Sequence, residues 1–324
     1  MHNYEQSLYR FKALKDKHRQ HNVLESDLPF LFENRNNETG ILLLHGSEAT
    51  PCNSVELAKK LSDKGYTTLG TLLHGHGVHP EELHQGRVSW KDCYQSAVES
   101  FRILQGLVKN IYILGSSFGG SLAYLMGIEF EDEVSGIIAV SAPSYSNYNP
   151  VNYHNWMKQV HSTIKAVEHN IHNLNIPVLI LHGADDKSVK VKQAFFAYEK
   201  VRTEQKKLVL YNQIGHSLGF GFNTDEVTVD IENFIKSYKE PVSVRFEFHF
   251  RDVDSVSLAG EFNNWNGSSL PMFFDGEKWR IDILLAPGRY QYKFVINNQK
   301  WLNDPSGEQV YTPRGEINSV LSVD

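Results

Sequence analysis

The sequence predicts an α/β architecture, a mainly parallel sheet with helices on both faces, followed by a smaller all-β sandwich. Three observations carry that prediction. Up to about residue 238, short apolar runs rich in β-branched residues alternate with helical stretches, the pattern of successive βα units. Past Lys239-Glu240-Pro241 the helical period disappears and apolar residues recur at every second position. Midway through the first region, the apolar run Ile111–Leu114 leads into Gly115-Ser116-Ser117-Phe118-Gly119-Gly120, a turn of small residues that opens a helix.

Taken in order, residues 4–20 read as an amphipathic leading helix with Tyr9, Phe11 and Leu14 set among charges. Strands are expected at Ile41–Leu44, Thr67–Thr71, Ile111–Leu114, Ile137–Val140, Val178–Leu181 and Leu208–Tyr211, and helices include Val55–Lys64, Trp90–Leu107 and Val191–Val201. The stretch 144–176 is long for a connection between helix and strand and reads as a small helical cap over a site. Its Tyr145, Tyr148, Tyr153 and Trp156 either line a substrate channel or pack the cap itself. Beyond residue 241, Val242, Val244, Phe246, Phe248 and Phe250 alternate with polar residues. Further β-rich runs at Ile281–Leu284, Tyr290–Ile296 and Ile317–Val323 are separated by Gly, Pro and Asn turns. The expected division is thus 1–238 and 241–324, the second part an immunoglobulin-like sandwich.

Composition narrows the function classes. A length of 324 residues fits two domains, and 41% hydrophobic with 22% charged residues is ordinary for a globular protein. The net charge of −6 leaves no basic footprint and argues against a nucleic-acid partner. No apolar run approaches the ~20 residues that span a bilayer. The start, Met1-His-Asn-Tyr-Glu-Gln6, has neither the cationic segment nor the apolar core of a secretory leader. Two cysteines, Cys52 and Cys93, are too few for a disulfide framework and fit a reducing compartment. The expectation is a cytoplasmic enzyme.

Ser117 stands at the centre of Gly-x-Ser-x-Gly, the strand-to-helix elbow that exposes a nucleophilic hydroxyl at the top of an α/β-hydrolase sheet. A serine hydroxyl is a poor nucleophile at neutral pH, so it needs a base, and the base needs an acid to orient it. In this fold the chain order is nucleophile, acid, histidine. Asp185 and Asp186 follow the strand Val178–Leu181, at the sheet edge where open α/β folds place their sites. Among 15 histidines, His216 is the candidate base because its loop follows the late strand Leu208–Tyr211 and carries Gly215 beside it. The oxyanion hole requires two backbone N–H groups: that of Phe118, after the nucleophile, and that of Ser47, on the loop after the early strand.

These segments appear in the order of a known family: Leu43-Leu44-His45-Gly46, Gly75-His76-Gly77-Val78-His79-Pro80-Glu81-Glu82-Leu83, Trp90-Lys91-Asp92, Gly115 to Gly119, His182-Gly-Ala-Asp-Asp186 and Gly215-His216. Together they resemble the bacterial carboxylesterase and monoacylglycerol-lipase-like branch of the α/β-hydrolases over residues 28–238. The resemblance implies Ser117 as nucleophile, His216 as base and, by its spacing to Val189, Asp186 rather than Asp185 as the acid. It implies no cofactor. Many relatives carry a bulky apolar residue where this chain has Ser47, which implies a wider or more polar acyl pocket here. The cluster His74, His76, His79 and His84 has the look of a metal site, but His76 belongs to the family's Gly-His-Gly loop and no nearby carboxylate or thiol completes a set. No metal is expected.

The second part carries its own signal. Gly260-Glu-Phe262-Asn263-Asn264-Trp265, Trp279, Pro287-Gly288-Arg-Tyr-Gln-Tyr292-Lys293-Phe294 and Trp301-Leu-Asn-Asp304-Pro305 resemble the glycogen-binding module of AMP-activated kinase β subunits. The resemblance implies an α-glucan platform on Trp265 and Trp301, with Lys293 and Asn318 as polar contacts and Arg314 where relatives have an apolar residue. A flat indole suits the C–H face of a pyranose, and an amine and an amide suit its hydroxyls. The whole chain therefore reads as a serine ester hydrolase acting on short-to-medium acyl esters, with acylated carbohydrates as the refinement that unites both parts. A monoacylglycerol-type lipase, a serine peptidase and a non-catalytic glycogen-associated scaffold are the alternatives.

Overall fold

The computed structural model describes residues 2–77, 88–146, 154–238, 242–285, 288–312 and 317–323. Val78 to Leu83 of the family loop, His84, Tyr148, Tyr153, Pro287 and Arg314 lie outside the described residues. The chain forms two compact units, Met1–Phe234 and Ile235–Asp324.

The first unit is built on a seven-stranded sheet: β1 (Phe30–Phe32), β2 (Thr39–Leu44), β3 (Thr67–Thr71), β4 (Asn110–Ser116), β5 (Gly136–Val140), β6 (Val178–Gly183) and β7 (Lys206–Tyr211). Their spatial order is β1-β3-β2-β4-β5-β6-β7, with every pairing parallel except β1 with β3. This is the α/β-hydrolase arrangement. From β2 to β6 every strand residue but Asn110 is buried, because helices cover both faces. Those helices are α1 (His2–Gln20), α2 (Val55–Asp63), α3 (Trp90–Gln105), α4 (Phe118–Glu129), α5 (Asn155–Asn170), α6 (Lys192–Lys200) and α7 (Thr224–Ser237). Ser89 and Asp92 cap the start of α3 reciprocally, side chain to backbone N–H in both directions at 3.2 and 3.0 Å. The central helix α4 is apolar on nearly every side because it is enclosed, lying on β4 and β5 with α5 packed over it.

Two details differ from the sequence reading. Tyr9 lies on the open side of α1, 74% exposed, while Ser7 and Leu14 are buried and Phe11 packs on the core. Positions 7, 11 and 14 follow the helical period, and Tyr9 stands two residues out of it, on the far face. Strand β1 was not anticipated, being only three residues long and half-buried. It is held where the Phe30 ring lies across Gly70, at a spot where a Cβ on Gly70 would come within 2.3 Å of the ring.

The second unit is an antiparallel sandwich. One sheet has the order β10 (Phe273–Phe274), β11 (Trp279–Leu285), β8 (Val242–Phe248). In the other, β12 (Gly288–Ile296) pairs with β9 (Val256–Gly260), β13 (Lys300–Leu302) and β15 (Ile317–Val323), and β15 pairs with β14 (Glu308–Tyr311). The alternating residues meet between the sheets, where Phe248 stacks on Phe294 with ring centroids 4.2 Å apart and Phe246 meets Tyr292 edge-on at 5.0 Å.

The close approach of α4 to the end of β2 sets a testable limit on side-chain size. A Cβ on Gly119 would lie 2.3 Å from the Leu44 carbonyl oxygen, whereas one on Gly215 would meet nothing within 4 Å. Gly119→Ala is expected to cost about 2–3 kcal/mol or to block folding, and Gly215→Ala to stay within about 0.5 kcal/mol of the parent. Urea unfolding midpoints of the two variants decide it: equal midpoints would refute the packing argument.

Candidate active site

Strand β4 ends at Ser116, α4 begins at Phe118, and Ser117 between them has φ +51° and ψ −120°. That left-handed backbone is unfavourable for a residue with a side chain, by about 1–3 kcal/mol, and persists only where the surroundings enforce it. Here they do. The Ser117 N–H bonds the Val140 carbonyl at 2.9 Å, and the Ser117 carbonyl accepts from Gly120 and Ser121 N–H at 2.9 and 3.2 Å. Gly115, Gly119 and Gly120 leave no room for a Cβ, each being pressed against backbone or the Ala142 side chain. Ser117 faces a cleft of about 610 Å³ that His216, Ser47 and Gly46 also line.

His216 donates through Nδ1 to Asp186 Oδ2 at 2.7 Å. The other oxygen of Asp186 accepts the N–H groups of Ser188 and Val189, both at 2.9 Å. Burial would raise the Asp186 pKa, but the hydrogen bonds from His216 and Val189 outweigh it, so the carboxyl lies below its usual range and is ionised. Asp185, the neighbour, points to solvent. The two loops are brought together by backbone: Ala184 N–H bonds Tyr211 carbonyl at 2.9 Å and Asp185 N–H bonds Ile214 carbonyl at 3.0 Å. Gly183 permits this approach, since a Cβ there would lie 2.4 Å from the Ile214 and Gly215 carbonyl oxygens. The imidazole is partly open, at 32% side-chain exposure, and lines the same cleft as Ser117.

The two candidate oxyanion donors are oriented by their surroundings. Phe118 is the first residue of α4, and its N–H has no acceptor within the helix. The Gly46 carbonyl accepts from His45 Nδ1 at 2.9 Å and from Ala49 N–H at 3.3 Å. In a trans peptide the Ser47 N–H points the opposite way. His45 itself is enclosed; burial holds it far below its usual pKa, and its Nε2 accepts the Leu73 N–H at 3.1 Å.

Three further side chains, His182, His76 and Trp156, complete the surroundings. His182, also buried and depressed in pKa by burial, bonds the Val189 carbonyl at 2.8 Å and lies 3.6 Å from Asp186 Oδ2, bracing the acid's loop. His76, kept neutral by burial, bonds the Ser47 carbonyl at 2.8 Å. The recurrence of His-Gly at the ends of β2 and β6, His45-Gly46 and His182-Gly183, was the available signal. Trp156, read as a channel or cap residue, is fully buried and donates its indole N–H to the Ser47 carbonyl at 2.9 Å. Of the insert's aromatic residues that are described, Tyr145 lines the cleft, beside Met157, Val160 and Ile164 of α5. Among the described residues, no group of three His, Cys, Asp or Glu is placed to hold a metal, His79 and His84 lying outside them.

In the second unit the Trp265 and Trp301 rings lie together, centroids 6.4 Å apart and tilted by 41°. Trp301 is 42% exposed on β13, and Trp265 sits on a turn with φ +57°. Tyr292 stands opposite Ser319, so Lys293 and Asn318 take the next step of the ladder on the other face of their sheet. Asn318 is buried, and its amide donates to Gln291 Oε1 at 2.8 Å, so only part of its hydrogen-bonding capacity remains for a ligand.

Comparison with known proteins agrees with both units. Residues 147–221 match the family described as serine aminopeptidase, S33, and residues 242–324 match the glycogen recognition site of AMP-activated protein kinase. A carboxylesterase of Bacillus subtilis is 24% identical over 242 residues, covering 64% of this chain and 96% of the relative. A thermostable monoacylglycerol lipase of a Bacillus species is 32% identical over 123 residues, covering 38% of this chain and 47% of that protein. Among solved structures, that of a metagenome-derived lipolytic enzyme superposes with a TM-score of 0.61 at 20% identity, over 66% of this chain and 99% of its own. Among the described residues, no helix is long and apolar enough to cross a membrane. The first unit thus has the α/β-hydrolase fold and is similar to carboxylesterases and lipases, and the C-terminal unit is similar to the glycogen recognition site of AMP-activated protein kinase.

Proposed function

We propose that the first unit is a serine carboxylic-ester hydrolase. The observation that carries the reading is the joint placement of a strained Ser117 and an Asp186-bonded His216 on one cleft. His216 Nε2 takes the Ser117 hydroxyl proton as Oγ attacks the ester carbonyl, and the oxyanion is met by the N–H groups of Ser47 and Phe118. The protonated imidazole, held by the Asp186 carboxylate, then gives its proton to the departing alcohol. Water attacks the acyl-Ser117 by the same route in reverse, releasing the acid. Every step uses this chain's own groups.

The cleft walls favour an amphipathic ester. The lining divides by chemistry between apolar Met157, Val160 and Ile164, suited to an acyl chain, and polar Asn53 and Lys190, suited to a hydroxylated alcohol. That division supports acylated carbohydrates as substrates. Cys52 and Cys93 are unpaired, consistent with a cytoplasmic setting. The second unit supplies an α-glucan platform on Trp265 and Trp301, with Lys293 and Asn318 beside it.

With p-nitrophenyl butyrate, Ser117→Ala is expected to lower kcat by about 10³-fold or more, and Asp186→Asn to lower it steeply while Asp185→Asn has a mild effect. A folded Ser117→Ala variant with half the parent activity would overturn the nucleophile, and equal losses at the two aspartates would overturn the acid. Across acyl lengths, acetate to hexanoate esters should exceed palmitate in kcat/KM; a preference for twelve or more carbons would favour the lipase alternative. For the glucan platform, Trp265→Ala/Trp301→Ala should abolish retardation of the protein in glycogen-containing native gels and leave hydrolysis of the small ester near the parent rate. Absence of retardation in the parent itself would make the module structural.

A further inference from the structure

Helix α5 reaches the chemistry through one enclosed side chain. The Trp156 indole N–H and His76 Nε2 share the Ser47 carbonyl, at 2.9 and 2.8 Å. The indole also meets the Phe118 ring edge to face, with centroids 5.2 Å apart and planes at 73°, and the His76 ring at 5.2 Å and 77°. Trp156 therefore touches both residues, Ser47 and Phe118, whose N–H groups are assigned to the oxyanion. A buried indole needs an acceptor, and any carbonyl would satisfy it. Here the acceptor belongs to the loop that carries one oxyanion donor, and the ring rests on the residue that carries the other.

We propose that Trp156 is a positioning residue for the oxyanion hole, fixing the Ser47 loop against the start of α4 so that both N–H groups aim at one point. The adjoining turns of α5 supply Met157, Val160 and Ile164 to the cleft, so the same helix keeps the hole in register with the acyl wall. The inference rests on the acyl-serine reading above. Loss of a direct oxyanion donor costs about 10²–10³ in kcat. Loss of its support leaves the N–H present but less well aimed, for an expected cost of about 10- to 50-fold.

The test replaces Trp156 by Phe, which keeps an aromatic ring without the N–H, and by benzothienylalanine, which keeps the bicyclic shape and lacks only that donor. For each variant kcat, KM, inhibition by a trifluoromethyl ketone transition-state analogue and the urea midpoint are measured with p-nitrophenyl butyrate as substrate. The expected result is a kcat lower by about 10- to 50-fold, KM within about 2-fold, and inhibition weakened in proportion to kcat/KM. If Trp156→Phe does not fold, the benzothienylalanine protein decides the matter alone. A folded isostere with parental kcat, or with a change in KM only, overturns the positioning role. Ser117→Ala measured alongside separates the two claims: if it retains turnover, the acyl-serine reading has failed; if it is inactive while the isostere keeps parental kcat, only the role of Trp156 has failed.

Discussion

The left-handed backbone of Ser117 is the constraint on which the rest of the first unit depends. A turn that sharp forces α4 back across the ends of the strands, so helix and strand backbones come closer than side chains allow. Gly115, Gly119 and Gly120 are the consequence, each facing backbone or Ala142 where a Cβ would stand. The strain is held by the Ser117 backbone bonds to β5 and within α4, and by a core on both sides of the sheet in which Phe118 and Leu122 are fully enclosed. The result is a serine that lines the cleft directly before a helix whose first N–H groups have no partner within the helix.

Neutral histidines hold the loops around that turn. His45, His76 and His182 are buried, and burial keeps each below its ordinary pKa, so at neutral pH each offers one N–H donor and one acceptor. Each bonds a carbonyl on a loop of the cleft: Gly46, Ser47 and Val189 respectively. A charged lysine or arginine in these places would carry a large desolvation cost, and an aliphatic residue would leave the carbonyls unbonded. His216 differs from the three in being partly open and bonded to a carboxylate, as the proposed base requires.

The second unit uses aromatic residues in two ways. Phe246, Phe248, Tyr292 and Phe294 interlock between the sheets and hold the sandwich together. Trp265 and Trp301 are placed outside that core, near each other and partly open, where flat apolar surface is available to a ligand. Lys293 of β12 and Asn318 of β15 lie on the face of their sheet away from the core residues because each strand alternates its side chains.

Local periodicity was enough to locate most of the architecture. Strands β2 to β7 lie within two residues of their expected positions, since a continuous apolar run or a two-residue alternation reports directly which faces are buried. The turn at Ser117 was legible for a similar reason, its glycines being a steric requirement written into adjacent positions. Strand β1 and the exposed side of α1 were not, because three residues carry no period and because Tyr9 is apolar enough to pass for a core residue. What the tertiary structure alone decided is which polar groups meet. The pairing of Asp186 with His216 was implied by the resemblance, but the engagement of Asn318 with Gln291 depends on neighbouring strands, and the bond from Trp156 to Ser47 spans from the insert helix to the end of β2. A sequence records the burial preference of each side chain, but the partner of a buried donor is fixed only when the folded backbone brings an acceptor within reach.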